Sequence, residues 1–186
     1  GFLLSKSTGL IEAARVSWLF SFGFHLIGIH WISNAFLVDR DQFGVFIPFV
    51  IVGLPAVLAL FPAVILSVFP LIRRSPSLDI VTIAILWSIS DFSRGKLFTG
   101  FPWNLMSYTI SFSENLSQTA SVVGAYGLNF LVIFVALAPS ILLSKRFYRT
   151  KSSFFILFSC CFIPLAMGFG GMLRLQNSNE EVDRNT

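Results

Sequence analysis

The residues best suited to chemistry lie between Asp91 and Trp103, at the end of an apolar segment. An arginine such as Arg94 is costly at membrane depth, so it usually marks a binding site or a contact with lipid headgroups. Asp91 lies three residues before Arg94, a spacing that lets the two side chains pair on one face of a helix. Two interpretations stay open: a structural ion pair, or contact between Arg94 and an anionic headgroup.

Residues 98–103 follow directly and read Phe-Thr-Gly-Phe-Pro-Trp. Gly100 and Pro102 rule out a continuous helix, so a rigid aromatic turn is predicted here. Trp103, like Trp31 earlier in the chain, would also suit the aromatic belt of a membrane interface. The turn is therefore compatible with a site and with a simple interfacial anchor.

Other reactive side chains favour structural roles. Cys160 and Cys161 are adjacent inside an apolar run, so they indicate no disulfide framework. A nucleophilic cysteine needs an electropositive and partly exposed setting, which this run does not offer. His25 and His30 are five residues apart, about 140° around a helix, so they do not form a two-ligand metal face. The sequence predicts no metal and no cofactor.

The composition places the chain in a lipid environment. Hydrophobic residues make up 55% and charged residues 12% of the 186 residues, and the mean hydropathy is +0.79. Soluble domains carry about 25% charged residues, so a multi-pass membrane protein is predicted. The 22 Phe and 4 Trp suit lipid-facing and interfacial surfaces. Nucleic acid is an unlikely partner because the sequence offers no soluble basic domain to bind it.

Five segments are long and apolar enough to cross about 30 Å of hydrocarbon as helices. They predict an all-α transmembrane bundle over residues 1–175, followed by a polar and disordered tail over 176–186. The spans are placed at 14–37, 43–71, 78–97, 118–143 and 153–173. In the second span, prolines recur every seven residues at Pro48, Pro55 and Pro62, which predicts a long bent helix or a helix broken around a ligand cavity.

Basic residues predict the orientation. One side holds eight of them and the other side five, and the richer side is expected to be cytoplasmic. The eight are Lys6, Arg15, Arg73, Arg74, Lys145, Arg146, Arg149 and Lys151, and the five are Arg40, Arg94, Lys96, Arg174 and Arg184. The loops at 72–77 and 144–152 are therefore predicted to be cytoplasmic. The loop at 98–116 and the tail after Arg174 are predicted to be on the outer side.

The stretch from Asp91 to Trp103 resembles a motif of the bacterial apolipoprotein N-acyltransferases, Glu-x-x-Arg-Gly-Trp followed by Phe/Leu-Thr-Gly-Phe-Pro-Trp. Asp91 replaces the usual Glu, and Lys96 replaces a Trp. The resemblance extends to 22–24 and 28–31, which are similar to a Gly- and Phe-rich family helix that ends in Trp. It also extends to 124–130, which are similar to a later Gly-x-x-Gly-Leu-x-Phe run.

The resemblance implies a function in the bacterial inner membrane. In that family a periplasmic nitrilase-type domain with a Glu-Lys-Cys triad takes an acyl chain from a phospholipid and passes it to a diacylated lipoprotein. The acceptor is the amine of the lipid-bearing N-terminal cysteine. Arg94 is then expected to contact the phospholipid headgroup. The wall of the lipid cavity is expected to contain Gly100, Phe101, Pro102 and Trp103.

The chain itself is expected to be a fragment, because it begins with Gly1 and its polar end is short. It would comprise the membrane part without the triad and would be inactive alone. Two other classes stay open: a truncated, non-catalytic lipid-binding scaffold, and a small transporter suggested by the proline-rich second span. A transporter commonly shows an internal repeat of spans, and none is visible.

Overall fold

The computed structural model describes residues 1–98, 100–143 and 151–185, with the backbone alone for 178–185. The described residues form helices and connecting turns without a strand, which confirms the all-α prediction. The α-helices are α1 Phe2–Lys6, α2 Leu10–Ile29, α3 Arg40–Phe43, α4 Ile47–Leu58, α5 Leu60–Ser67, α6 Phe69–Ile72, α7 Pro76–Lys96, α8 Glu114–Ser117, α9 Ala120–Leu137 and α10 Lys151–Asn185. Short 3₁₀ segments are His30–Leu37, Gly44–Phe46, Met106–Ile110 and Ala138–Leu143.

Four helical stretches in the described residues are long and apolar enough to cross a membrane. They are Leu10–Leu37, Arg40–Ile72, Ala120–Leu143 and Lys151–Asn177, and they coincide with the first, second, fourth and fifth predicted spans. The third predicted span forms the 21-residue helix α7. It is less apolar than the other four because it carries Asp79, Asp91, Arg94 and Lys96, and its passage through the bilayer stays a prediction.

The proline-rich second span is a series of short helices. Helix α4 ends at Leu58 and α5 ends at Ser67, and a new helix begins two residues after each end. Pro48 lies in the first turn of α4, where its missing N–H costs nothing. Pro55 and Pro62 lie inside helices and are buried. Each proline removes a backbone donor, so the span is segmented where the prolines follow one another.

The chain divides into two compact units. The first comprises Gly1–Arg74 and Ile85–Asn104. In it, Trp18 on α2 donates a hydrogen bond from its indole N–H to the Ala56 carbonyl at 3.1 Å. Phe20 on the same helix contacts Trp87 edge to face, with ring centroids 5.4 Å apart. These contacts pack α2 against both α4 and α7.

The second unit comprises Ser75–Ala84 and Leu105–Thr186. Its helix α9 is interrupted at Gly124, whose φ of 71° and ψ of 172° are not helical. The Asn129 side chain on α9 is buried and accepts a hydrogen bond from the Ser107 N–H at 3.1 Å. Helix α10 packs closely on α8, because a Cβ at Gly171 would collide with the Asn115 backbone.

The backbone of α10 continues as helix through the polar end of the chain to Asn185. The disorder of residues 176–186 stays a prediction. Extending a helix that already exists adds a hydrogen bond per residue without the cost of nucleation, so a polar segment can follow an apolar one in helical form.

Candidate functional site

The centre of the site is a buried arginine at the end of α7. The Arg94 side chain has an exposed fraction of 0%, and its Nη2 lies 2.9 Å from Oδ1 of Asp91. The Asp91 side chain is 4% exposed. A buried cation is costly unless it is paired and hydrogen-bonded, and the aspartate one helical turn earlier supplies the pairing charge.

Arg94 also binds the main chain of the turn that follows. Its Nη1 donates a hydrogen bond to the Phe101 carbonyl at 2.9 Å and another to the Trp103 carbonyl. In return, the Phe101 N–H donates to the Arg94 carbonyl at 2.8 Å. One side chain therefore joins α7 to two points of the turn, and we call Asp91, Arg94 and these carbonyls the arginine clamp.

The turn held by this clamp has an unusual backbone. Gly100 has a φ of 82°, and a Cβ at this position would lie 2.6 Å from the Gly95 carbonyl oxygen. Phe98 and Asn104 also have positive φ, at 50° and 57°. Such conformations cost about 1–3 kcal/mol each for a side-chain-bearing residue and persist only when the surroundings impose them. The hydrogen bonds of the arginine clamp to the Phe101 and Trp103 carbonyls hold this backbone against α7.

The outer surface of the turn is aromatic. Trp103 stacks on Trp31, with centroids 5.3 Å apart and planes 21° apart. Both indoles keep about half of their surface exposed, at 51% and 45%. The Phe101 ring centroid lies 6.3 Å from that of Trp103 and 6.0 Å from the Arg94 guanidinium carbon. The chain thus presents a stacked, partly exposed indole pair on a rigidly held backbone.

The end of α2 packs against the same turn. A Cβ at Gly28 would collide with the Asn104 side chain, so the absence of a side chain at Gly28 lets the turn approach the helix. The tryptophan pair joins the same two segments. Residues 28–31 and 100–104, which are separate motifs in the sequence, therefore pack against each other.

The structure brings the predicted site residues together in one turn. Phe101 and Trp103 supply carbonyls to the clamp, Gly100 precedes them, and Pro102 is exposed between them. The direction of the Arg94 side chain is the one difference from the expectation. Arg94 is turned inward, so the geometry favours the ion-pair interpretation over the headgroup interpretation. Direct headgroup contact by Arg94 stays a prediction.

Sequence reasoning missed a polar seam in the same unit. Helix α2 buries Ser17, Ser21 and His25 at four-residue spacing. Helix α7 buries Trp87 two turns and Ser90 one turn before Arg94. His25 Nδ1 lies 2.8 Å from the Ser21 carbonyl, so this nitrogen carries the proton. Within the described residues, several buried polar atoms lack a hydrogen-bond partner: Ser17 Oγ, His25 Nε2, Trp87 Nε1, Ser90 Oγ, Arg94 Nε and Asn104 Nδ2. The four-residue spacing of polar groups in α2 was the available signal.

The remaining candidates lie apart from this site in the sequence. Cys160 is half-buried on α10, with its sulfur 3.5 Å from the Val135 carbonyl, and Cys161 is exposed on the same membrane-spanning helix. Among the described residues no group of three or more His, Cys, Asp or Glu side chains could hold a metal ion. Lys145, Arg146 and Arg149, which enter the orientation argument, lie outside the described residues.

The fold and the site define a class: a polytopic membrane protein with an arginine-clamped aromatic turn at the end of a helix. Residues 1–138 match the family described as apolipoprotein N-acyltransferase N-terminal domain. The chain belongs to the apolipoprotein N-acyltransferase family.

The match with relatives in that family covers most of this chain but only part of each relative. An apolipoprotein N-acyltransferase from Rhodopseudomonas palustris is 41% identical over 143 residues, which are 77% of this chain and 27% of the relative. The protein of that name from Brucella suis is 37% identical over 177 residues, or 95% of this chain and 32% of the relative. One from Rickettsia bellii is 36% identical over 149 residues, or 80% of this chain and 30% of the relative. The chain thus spans about a third or less of the relatives it matches.

Proposed function

We propose that this chain is the membrane part of an apolipoprotein N-acyltransferase in the bacterial inner membrane. The complete enzyme would transfer an acyl chain from a phospholipid to the N-terminal, lipid-bearing cysteine of a diacylated lipoprotein. Family membership supports the reaction class. The observation that carries the role of this chain is the arginine clamp, which fixes an exposed aromatic surface at the end of helix α7.

The clamp positions the surface and does not itself carry out chemistry. Asp91 and two turn carbonyls already occupy the guanidinium of Arg94, which is fully buried. We therefore propose Arg94 as a positioning residue. Gly100, Phe101, Pro102 and Trp103 form the wall against which the lipid substrates rest. Fixing this wall in advance lowers the entropic cost of orienting two lipid-borne reactants.

No residue of this chain is proposed as catalytic. The family mechanism requires a cysteine thiolate, and Cys160 and Cys161 lie in the middle of a membrane-spanning helix among apolar side chains. The thiolate is the reactive form, and an apolar environment disfavours it. The acyl chain is therefore accepted by a cysteine outside these residues, and the 186 residues alone are inactive.

The orientation follows from the charges. The eight-to-five basic asymmetry puts the loops at 72–77 and 144–152 in the cytoplasm. The aromatic turn and the segment after Arg174 then lie on the periplasmic side. That arrangement puts the turn at the level where phospholipid headgroups of the outer leaflet and the lipoprotein acceptor are both accessible.

The test is an acyl-transfer assay with the complete enzyme that carries this chain. Labelled phospholipid and a diacylated lipopeptide are supplied in detergent, and thioester formation is measured separately from transfer to the lipopeptide. We expect both steps with the complete enzyme and neither step with the 186-residue chain. Phospholipid binding without transfer in the complete protein would favour the scaffold interpretation. Turnover by the short chain would contradict the proposed division of labour.

A further inference from the structure

The polar seam of the first unit consists of buried polar side chains on two helices. Ser17, Ser21 and His25 lie on α2, and Trp87 and Ser90 lie on α7. Each of these side chains belongs to a residue that is 6% exposed or less. A buried polar group is costly unless another group binds it, and nearly all such groups in proteins have a partner. The seam is therefore a place where a partner is expected.

Two interactions align α2 with α7 along the seam. The Phe20 and Trp87 rings lie edge to face with centroids 5.4 Å apart, and the charge of Arg94 acts on the His25 ring. At a rise of about 1.5 Å per residue, His25 lies about 7.5 Å beyond Phe20 on α2. Ser90 and Arg94 lie about 4.5 Å and about 10.5 Å beyond Trp87 on α7. The side chains of Ser90, His25 and Arg94 therefore lie at neighbouring heights of one interface.

The polar atoms at these heights are chemically complementary to water. Among the described residues, Ser90 Oγ, His25 Nε2 and Arg94 Nε have no hydrogen-bond partner, so they do not bind one another. Nδ1 of His25 faces the Ser21 carbonyl and carries the proton, which leaves Nε2 of the neutral ring as an acceptor. Arg94 Nε can only donate, and the Ser90 hydroxyl can do both. A water molecule both donates and accepts two hydrogen bonds, so it can satisfy all three atoms.

Charge and space at the seam favour water over an ion. Arg94 already has Asp91 as its counter-ion at 2.9 Å, so no further anion is needed, and its positive charge repels a cation nearby. The serines of the seam have short side chains, which leave more space between the helices than leucine or isoleucine would. A buried water needs about two to four polar partners and a space of its own size.

We infer that ordered water occupies the polar seam and bridges Ser90 Oγ, His25 Nε2 and Arg94 Nε, so that α2 is joined to the arginine clamp through water. Ser17 Oγ and Trp87 Nε1 also lack a partner among the described residues. They lie further along the same interface and extend the water site. The inference does not depend on the proposed function, because it concerns the packing of two helices and not the substrates.

Radiolytic labelling tests whether water is present in the seam. An X-ray pulse produces hydroxyl radicals from water itself, and these oxidise the side chains that the water contacts, including buried ones. The complete protein that carries this chain is irradiated in detergent, and each residue's oxidation rate is divided by its rate in the denatured protein. We expect Trp87 and His25 to react several-fold faster on this scale than Phe69, which is 0% exposed and apolar. Rates equal to that of Phe69 would show a dry interface and would overturn the inference.

A water-soluble radical scavenger distinguishes bound water from an opening to bulk water. It should slow oxidation of Trp31, which is half exposed, and leave the rate at His25 unchanged. Equal slowing at both residues would mean that the seam is open to the solvent, which contradicts an ordered water site.

Ser90→Ala tests whether the seam hydroxyl holds the water. Losing one hydrogen bond lowers the occupancy of a water by up to about tenfold, so oxidation of His25 and Trp87 should fall. Ser67→Ala on α5 is the matched control, because its hydroxyl binds the Val64 carbonyl of its own helix, and it should change neither rate. If Ser90→Ala does not fold, Ser17→Ala replaces it with Trp87 as the reporter. Unchanged rates in the seam variant would overturn the assignment.

Thermal unfolding of the same variants gives a second readout with opposite signs for the two cases. Removing a group that is hydrogen-bonded to water destabilises the protein, whereas removing an unpaired buried hydroxyl stabilises it. Ser90→Ala should therefore lower the unfolding temperature relative to Ser67→Ala. An unfolding temperature above that of the control would show that the Ser90 hydroxyl has no partner, and the inference would fail.

Discussion

Removing the charges of the arginine clamp should affect the stability of the protein and its function differently. Asp91→Ala leaves the Arg94 cation buried, with a side chain that is 0% exposed, after the loss of a carboxylate 2.9 Å away. Removing one partner of a buried ion pair costs about 3–5 kcal/mol. Arg94→Met removes the charge and two hydrogen bonds to carbonyls, each worth about 1.5–3 kcal/mol for a charged donor. We expect either single variant to be destabilised by several kcal/mol.

The double variant Asp91→Leu/Arg94→Met separates the two roles. Replacing a buried ion pair by apolar residues of similar volume is often neutral for stability, so much of the lost stability should return. The carbonyls of Phe101 and Trp103 would still lack their donor. Because the wall would no longer be held, acyl loading should stay low although the bundle is stable.

The assay compares thermal unfolding in detergent with formation of the acyl-thioester intermediate in the complete enzyme. Ser93→Ala, next to the clamp in sequence but outside its hydrogen bonds, is the control. Arg94→Lys adds a graded test, because a point charge cannot reach both carbonyls and the carboxylate in fork geometry. If the double variant loads acyl chains at the parent rate, the clamp is only a means of burying charge and does not position the wall.

Three further outcomes are expected. Gly100→Leu should abolish acyl loading while the bundle stays folded, because its φ is 82° and a Cβ would lie 2.6 Å from the Gly95 carbonyl oxygen; loading at the parent rate would contradict this. Trp103→Ala should raise the phospholipid concentration needed for half-maximal loading, since it removes half of the indole stack with Trp31, and an unchanged requirement would remove Trp103 from the wall. For the orientation, single cysteines are introduced at Ser75 and Asn177 in a background without native cysteines. An impermeant thiol reagent added from outside should label only the cysteine at position 177. Labelling of position 75 alone would mean that the predicted orientation is inverted.

The sequence was sufficient to predict the class of protein, and it drew attention to the segment that forms the candidate site. Composition predicted a membrane protein, and hydropathy located the helices, because a bilayer imposes length and apolarity directly on the chain. The i, i+3 spacing of Asp91 and Arg94 predicted their pairing. Gly100 and Pro102 predicted the end of the helix. These features are local, and local patterns are what a single sequence expresses.

Other features depend on contacts that spacing does not reveal. The inward direction of Arg94 follows from the carbonyls of Phe101 and Trp103, whose positions exist only after the turn has formed. The positive φ at Phe98 occurs at a residue type that seldom adopts it, so the residue type did not signal it, whereas Asn104 belongs to a type that adopts positive φ comparatively often.

The contact between α2 and the turn explains why residues 28–31 and 100–104 should be considered together. Gly28 leaves the space that Asn104 occupies, and Trp31 supplies the ring on which Trp103 stacks. The arginine clamp holds the other side of the same turn through Phe101. The turn is therefore fixed from two directions, by packing on α2 and by hydrogen bonds from α7. Two independent attachments over-determine a backbone that is intrinsically strained. In the proposed function, a wall held in this way would keep its shape while lipids exchange along it, which would favour ordered transfer between two lipid-borne reactants.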